Sequence, residues 1–352
     1  MTLPTLFLRS LGTTCLSLFF LFLPLLGGVV PARATEVPLG YLLRPGDNHR
    51  GIPLVRPALY NGIILAVDGP GFRIQDRSFP PIEAGNLTAW GQEPCYLEIE
   101  SCPADPTLEG ERWEVDAEKS LAVPGFFALK SAAWNTRPDL PPALAGASYS
   151  IRSHWTLENV FPPLAESDVL RSATPDQADR ISIFDPSHPK RYRSFYAQAL
   201  APAGSWRWSS LDKDDRTSRV IPPGHGWLFY REPNRRLNLG LTGEARVCAL
   251  RIPLRPGMNL VAPGLVRTAS FRHFAMGSAN GFQSGAKAGL ADRISLFRGQ
   301  SVDTFALLPQ GWISLRSLRG VDPEVAMGVR PDDAVQIFKQ QADPDFAVPR
   351  QP

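Results

Sequence analysis

Hydrophobic and polar residues alternate along this chain with the two-residue period of half-buried strands. In Arg236-Leu237-Asn238-Leu239-Gly240-Leu241-Thr242 every leucine falls on one face of an extended segment, with polar or small residues on the other. Gly62-Ile63-Ile64-Leu65-Ala66-Val67, then Asp68-Gly69-Pro70-Gly71, then Phe72-Arg73-Ile74-Gln75 reads as strand, tight turn, strand. Trp227-Leu228-Phe229-Tyr230 is apolar at every position, so both faces of that segment are apolar. The 35 prolines and 29 glycines leave little room for long helices. Minor helix is expected only within Pro162 to Gln177 and Phe274 to Leu290, where strand signals lapse. The pattern predicts an all-β protein of sandwich or barrel-like units.

One heptapeptide sets the domain layout. Ala178-Asp179-Arg180-Ile181-Ser182-Ile183-Phe184 returns 113 positions later as Ala291-Asp292-Arg293-Ile294-Ser295-Leu296-Phe297. So long a period marks a duplicated domain, since solenoid units recur every roughly 20–50 residues. The first copy is followed by Ser205-Trp206-Arg207-Trp208 and a Pro-led aromatic strand, Ile221 to Arg231. The second is followed by Gly311-Trp312-Ile313-Ser314 and Val329 to Lys339. Trp206 lies 15 positions before Ile221, and Trp312 lies 17 before Val329. Upstream, Trp155 to Pro163 has a looser echo in Leu254 to Pro263. The expected layout is a leader at 1–34, an unrelated N-terminal β domain at 37–147, β repeats at 148–247 and 248–346, and a tail at 347–352.

The leader decides the compartment. Arg9 precedes an uncharged stretch from Ser10 to Pro31 rich in Leu and Phe, which closes on Ala32-Arg33-Ala34. A cation, an apolar core and small residues at −3 and −1 describe a secretory signal peptide cut before Thr35. The alternative is an uncleaved anchor, since the run approaches the roughly 20 residues that span a bilayer. The expected location is the periplasm, the outer cell surface or the extracellular space, with no stable membrane insertion after cleavage. Losing Arg9 and Arg33 from 37 basic residues, against 34 acidic ones, leaves a net charge of +1. That balance gives no electrostatic case for nucleic acid.

An oxidising destination makes Cys95 and Cys102 a candidate disulfide, bracketing a tight loop seven positions long. The alternative is that both stay reduced, with Cys248 buried as a small hydrophobe. No histidine sits at ligand spacing from a cysteine, so neither metal nor cofactor is expected. The most conspicuous histidine, His225, stands between glycines. It reads as a solvent-facing turn residue, or as a base near Asp214 and Asp215. The adjacent residues of Asp179-Arg180 and of Asp292-Arg293 would point to opposite faces of a strand, so a repeated strand-edge ion pair or turn is their simplest role. Trp206, Trp208, Trp227 and Trp312 either fill β cores or, exposed, stack on sugar rings.

Further segments carry a family resemblance. They are Val37 to Tyr41, Ile52 to Gly62, Tyr96 to Ile99, Leu108 to Val115, His154 to Pro163, Ile221 to Arg231 and Gly257 to Val261. Together they resemble a family of exported, functionally uncharacterised β-rich bacterial proteins found mainly in Verrucomicrobia-like lineages. The Cys95 and Cys102 pair and the shortened second Trp segment depart from that family's pattern. The resemblance implies export and a β-rich build, and no activity. The expected function is a non-enzymatic envelope or extracellular structural or interaction protein of unknown ligand, with a cell-surface glycan or an envelope protein as candidate partners. The alternatives are a carbohydrate-binding array using the four tryptophans and a glycan-acting hydrolase with carboxylates distant in sequence.

Overall fold

The computed structural model describes residues 36–349 except 70, 75–92, 122–124, 131–138, 163–167, 187, 189, 202–203, 213–218, 232–235, 271–272, 274–275, 277–279, 299–300, 318–319, 321–327 and 345. The expected leader therefore lies outside the described residues. Within them the protein is all-β, with α-helix confined to turns at Ala117–Leu121 and Leu157–Val160. Three strands open it: β1 (Glu36–Leu43), β2 (Gly46–Arg50) and β3 (Leu54–Val55). The next strands are β4 (Ala58–Asp68), β5 (Gly71–Ile74), β6 (Cys95–Ser101), β7 (Arg112–Val115), β8 (Phe126–Lys130) and β9 (Ser148–Ser153). They close into a barrel in the order β4-β5-β8-β7-β6-β9, around Leu97, Ile99, Trp113, Phe127 and Ile151.

After the barrel come β10 (Trp155–Thr156), β11 (Arg180–Phe184), β12 (Tyr192–Ala199), β13 (Trp206–Ser210), β14 (Val220–Ile221), β15 (Trp227–Arg231) and β16 (Leu237–Ala245). The last stretch holds β17 (Leu250–Arg251), β18 (Gly257–Val261), β19 (Arg293–Arg298), β20 (Ser301–Leu308), β21 (Gly311–Ser314), β22 (Val335–Lys339) and β23 (Ala347–Val348). Two antiparallel five-stranded sheets result, ordered β2-β15-β11-β12-β13 and β18-β22-β19-β20-β21. Each sits over its own apolar core, and we call the two units lobes 1 and 2.

The two five-stranded sheets correspond strand for strand. Ile181 faces Phe195 and Phe229 across its two neighbours, as Ile294 faces Phe305 and Ile337. Trp208 lies opposite Ala197, and Trp312 opposite Leu307, so Trp208 rather than Trp206 is the counterpart of Trp312. Core volume is traded between layers: Ala197 with Trp227 in lobe 1 becomes Leu307 with Val335 in lobe 2. Asn48 Oδ1 accepts from the Arg44 amide at 2.9 Å, and its Nδ2 donates to the carbonyls of Arg44, Gly46 and Phe229. Asn259 repeats the set with the Arg255 amide and the carbonyls of Arg255, Gly257 and Ile337.

The Asp-Arg pairs also recur, in a different role from the one expected. Asp179 is buried and bonds Arg231 at 2.7 Å, while Asp292 is buried and bonds Lys339 at 2.8 Å. These are core ion pairs and not strand-edge pairs, because each carboxylate turns inward and also accepts a backbone amide, from Leu170 or Gln283. Removing one partner strands a buried charge, which costs about 3–5 kcal/mol. The neighbouring Arg180 and Arg293 point to the other face, over the rings of Tyr230 and Phe338.

The layout differs from the expected one in three places. Lobe 1 is split: β2 hydrogen-bonds to β15, and β1 and β3 both pair with β16, so residues 36–55 belong to it and not to an N-terminal domain at 37–147. The barrel is inserted between β3 and β10. Trp155 to Pro163 does not correspond to Leu254 to Pro263 either. Trp155–Thr156 is a two-residue strand and Leu157–Val160 a helical turn, capped by Thr156 and Asn159. The expected tail at 347–352 begins too early, since Ala347 and Val348 pair with Arg251 and Leu250.

Candidate functional site

The lobes meet around a pseudo-twofold axis. The amide of Gly51, just after β2, donates to Asp332 O at 3.1 Å, and the equivalent Ala262, just after β18, donates to Gly224 O at 2.8 Å. Isolated bridges join Arg50 to Asp333 and the equivalent Val261 to the equivalent His225. Equivalent residues touch each other, as an isologous contact requires. A Cβ on Gly51 would lie 2.3 Å from the Ala262 Cβ, and one on Gly226 would lie 2.7 Å from the Ala334 Cβ. Glycine stands at both places because the two backbones approach this closely.

Side-chain chemistry breaks the symmetry. One junction carries a groove of about 340 Å³ lined by Arg44, Asp47, His49, Arg50, Phe297, Arg298, Arg330, Asp332 and Asp333. Matched through the strand registers, the other junction places Arg255, Met258, Leu260, Val261, Phe184, Asp185, Pro222, Gly224 and His225 at those positions. Of the charged positions, only Arg44 keeps its charge and only Arg298 exchanges it for the opposite one. The rest become apolar, glycine, proline or neutral histidine.

Loop length accounts for the opening. Between β11 and β12 run residues 185–191, whereas only 299–300 separate β19 from β20. In lobe 1 Arg191 Nη2 donates to Pro256 O at 3.0 Å, and the Tyr192 hydroxyl accepts the Leu260 amide at 3.1 Å, so this hairpin bonds across to lobe 2. The short hairpin of lobe 2 leaves Arg298 exposed beside the groove.

Within the groove Arg50 is the hub. Its Nη1 lies 3.5 Å from Asp332 and 3.4 Å from Asp333, and its Nη2 donates to Leu42 O at 3.3 Å. Asp333 also accepts the Arg330 amide at 3.0 Å. Burial holds the Asp333 carboxyl above its ordinary range, and the neighbouring Asp332 adds to the shift. His49 stacks flat on Phe297, with ring centres 3.4 Å apart, and burial lowers it to about 4, so it is neutral at pH 7. Among the described residues Arg44, Arg298 and Arg330 make no side-chain ion pair, although the Arg330 charge acts on the Asp333 carboxyl and Arg298 donates to Gly328 O at 2.8 Å. The site is a cation-rich cleft with acceptors at its base.

No family model, curated protein or solved structure matches this chain. The groove therefore stands on its own geometry. Among the described residues no helix is long and apolar enough to cross a membrane, and no group of His, Cys, Asp or Glu is arranged to hold a metal ion.

The residues singled out from sequence lie elsewhere. Trp206, Trp208, Trp227 and Trp312 are all buried, at 5 % exposure or less. They pack on Phe161, Phe229 and Phe282, or on one another, and form no sugar-binding platform. Cys95 and Cys102 are free and buried. The residues between them form β6 and not a tight loop, which separates them by roughly 20 Å, far beyond disulfide reach. Burial also pushes the Cys95 thiol up to about 11.

His225 is not solvent-facing. It is buried and lies flat against Phe184 with ring centres 3.9 Å apart, and burial first, then the charges of Arg112 and Arg255, lower it to about 3. Asp214 and Asp215, its expected partners, lie outside the described residues. No groove residue was given a functional role from sequence, although Phe297 ends the second heptapeptide and Arg330, Asp332 and Asp333 fall in the second Pro-led segment. A signal for them exists: Leu43-Arg44-Pro45-Gly46-Asp47-Asn48 nearly repeats as Leu254-Arg255-Pro256-Gly257-Met258-Asn259.

Proposed function

We propose that this is an exported, non-enzymatic binding protein of the cell envelope or extracellular space, and that its ligand sits in the groove between the lobes. The observation that carries the reading is the broken pseudo-symmetry. Two junctions built on equivalent backbone differ in that one is a charged groove while the other is largely apolar and bridged by the Arg191–Tyr192 hairpin. Structural need alone would be met equally by either solution, so the charged one has a use beyond packing. Export rests on the leader, with its apolar core and Ala32-Arg33-Ala34, and on the family resemblance. Burial of the tryptophans removes the basis for an aromatic glycan-binding array.

A hydrolase is the second reading, because Asp332 and Asp333 share the groove and burial raises the carboxyl of Asp333. Glycoside cleavage needs two carboxylates flanking the scissile bond. Here both sit on one loop and both are bonded by Arg50, an arrangement that suits ligand positioning better than proton transfer. Incubating the mature protein with cell-wall and polysaccharide preparations, and assaying released reducing ends, separates the readings. We expect no release above the rate of an Asp333→Asn variant. Release that this substitution abolishes would overturn the binding-protein reading.

A further inference from the structure

Resting on that reading, we propose that the groove takes a hydroxylated anion: a sugar or polyol carrying a carboxylate or a phosphate. The charge distribution points to this class. Of the three groove carboxylates, Asp332 and Asp333 are committed to Arg50. Arg44, Arg298 and Arg330 are exposed on the rim with the single exposed carboxylate of Asp47, and the lining as a whole carries four guanidinium groups against three carboxylates. Guanidinium groups present planar donor forks that match carboxylate and phosphate oxygens.

A bare anion satisfies only half of the site. Asp47 would repel it, and Asp332 would keep unused acceptor capacity. A ligand with hydroxyl donors beside its anionic group pairs with both kinds of side chain. The flat His49–Phe297 stack, 6° from parallel, lies along the same groove and adds ring surface beside the guanidinium groups. A groove of about 340 Å³ is at the small end of ligand sites, which fits one or two sugar rings and not a folded partner.

The test is a titration of the mature chain followed by amide NMR at low ionic strength, with D-glucuronate, glucose 6-phosphate and D-glucose as probes. We expect both acids to shift groove resonances and to compete with each other. Binding should weaken at least tenfold in Arg298→Gln/Arg330→Gln and in high salt, and stay unchanged in Arg73→Gln, an exposed arginine on the barrel. The tighter acid identifies the anion as carboxylate or phosphate. Glucose binding as well as the acids in the groove would overturn the anion class while leaving the groove as the site. Acids that bind elsewhere, indifferent to Arg298 and Arg330, or no binding by either acid at tens of millimolar, would overturn the proposal. The former of these outcomes would count against the groove reading as well.

Discussion

At the scale of single residues, two histidines make this fold acid-sensitive. His225 titrates near pH 3 in the folded protein, because burial disfavours the imidazolium, and at about 6.5 when unfolded. Between those values the unfolded chain binds a proton that the folded one refuses, so stability falls as the pH drops below about 6.5. His49, lowered to about 4, adds the same sign over a narrower window. Thermal melts from pH 7 to pH 4 should show a falling Tm, and His225→Gln should flatten that dependence. An unchanged slope in the variant would mean that His225 is accessible to protons in the native state. None of this is visible in Gly224-His225-Gly226 itself. Flanking glycines signal a turn, but burial is set by Phe184, forty-one positions away, and by the partner lobe.

At the scale of elements, the recurring strands were legible where the repeat is local and hidden where the chain is interrupted. The heptapeptide recurs after 113 positions, but the Leu-Arg-Pro-Gly-x-Asn motif recurs after 211. The difference, 98, is close to the length of the inserted barrel, β4 to β9, with its short joins. A comparison confined to the residues shortly before each heptapeptide therefore pairs Leu254 to Pro263 with Trp155 to Pro163, and misses Leu43 to Asn48. The Cys95 to Cys102 pairing failed for a related reason: periodicity in Cys-Tyr-Leu-Glu-Ile-Glu-Ser is strand-like, and a strand keeps its ends apart. The asparagine in the recurring motif makes four hydrogen bonds, three that close its own Arg-Pro-Gly turn and one across to the neighbouring strand, at Phe229 O or Ile337 O. Asn48→Ala and Asn259→Ala should each cost about 1 kcal/mol, since most of the backbone groups they would orphan are only part-buried. Urea denaturation checks this, and a cost under ~0.5 kcal/mol at both sites would show that water replaces the side chain freely.

At the scale of the whole molecule, the barrel is bound to the lobes through polar groups placed where water is excluded. Arg112 Nη1 donates to Pro223 O at 2.7 Å and its other amino group reaches Arg251 O, while Arg251 Nε donates to Glu109 O at 2.8 Å. Arg152 bonds Glu244 at 2.5 Å, and Arg246 pairs with Glu98. Buried charges joined this way are costly to separate, because each would be left without its partner. Barrel and lobes should then unfold together. Gly110 tests this directly. It lies in the turn before β7 at φ 80°, and an added Cβ would meet the Ala249 carbonyl oxygen at 2.1 Å, across the junction. A backbone carbonyl cannot swing aside as a flexible side chain does, so Gly110→Ala must push the barrel off lobe 2 or distort its own turn. The left-handed backbone adds a cost of order 1 kcal/mol. Calorimetry should give one transition in the wild type, and one transition at a clearly lower temperature in Gly110→Ala. A second transition in the variant, with the upper one unmoved from the wild-type temperature, would show that the lobes hold together without the barrel and that the insertion is an independent passenger.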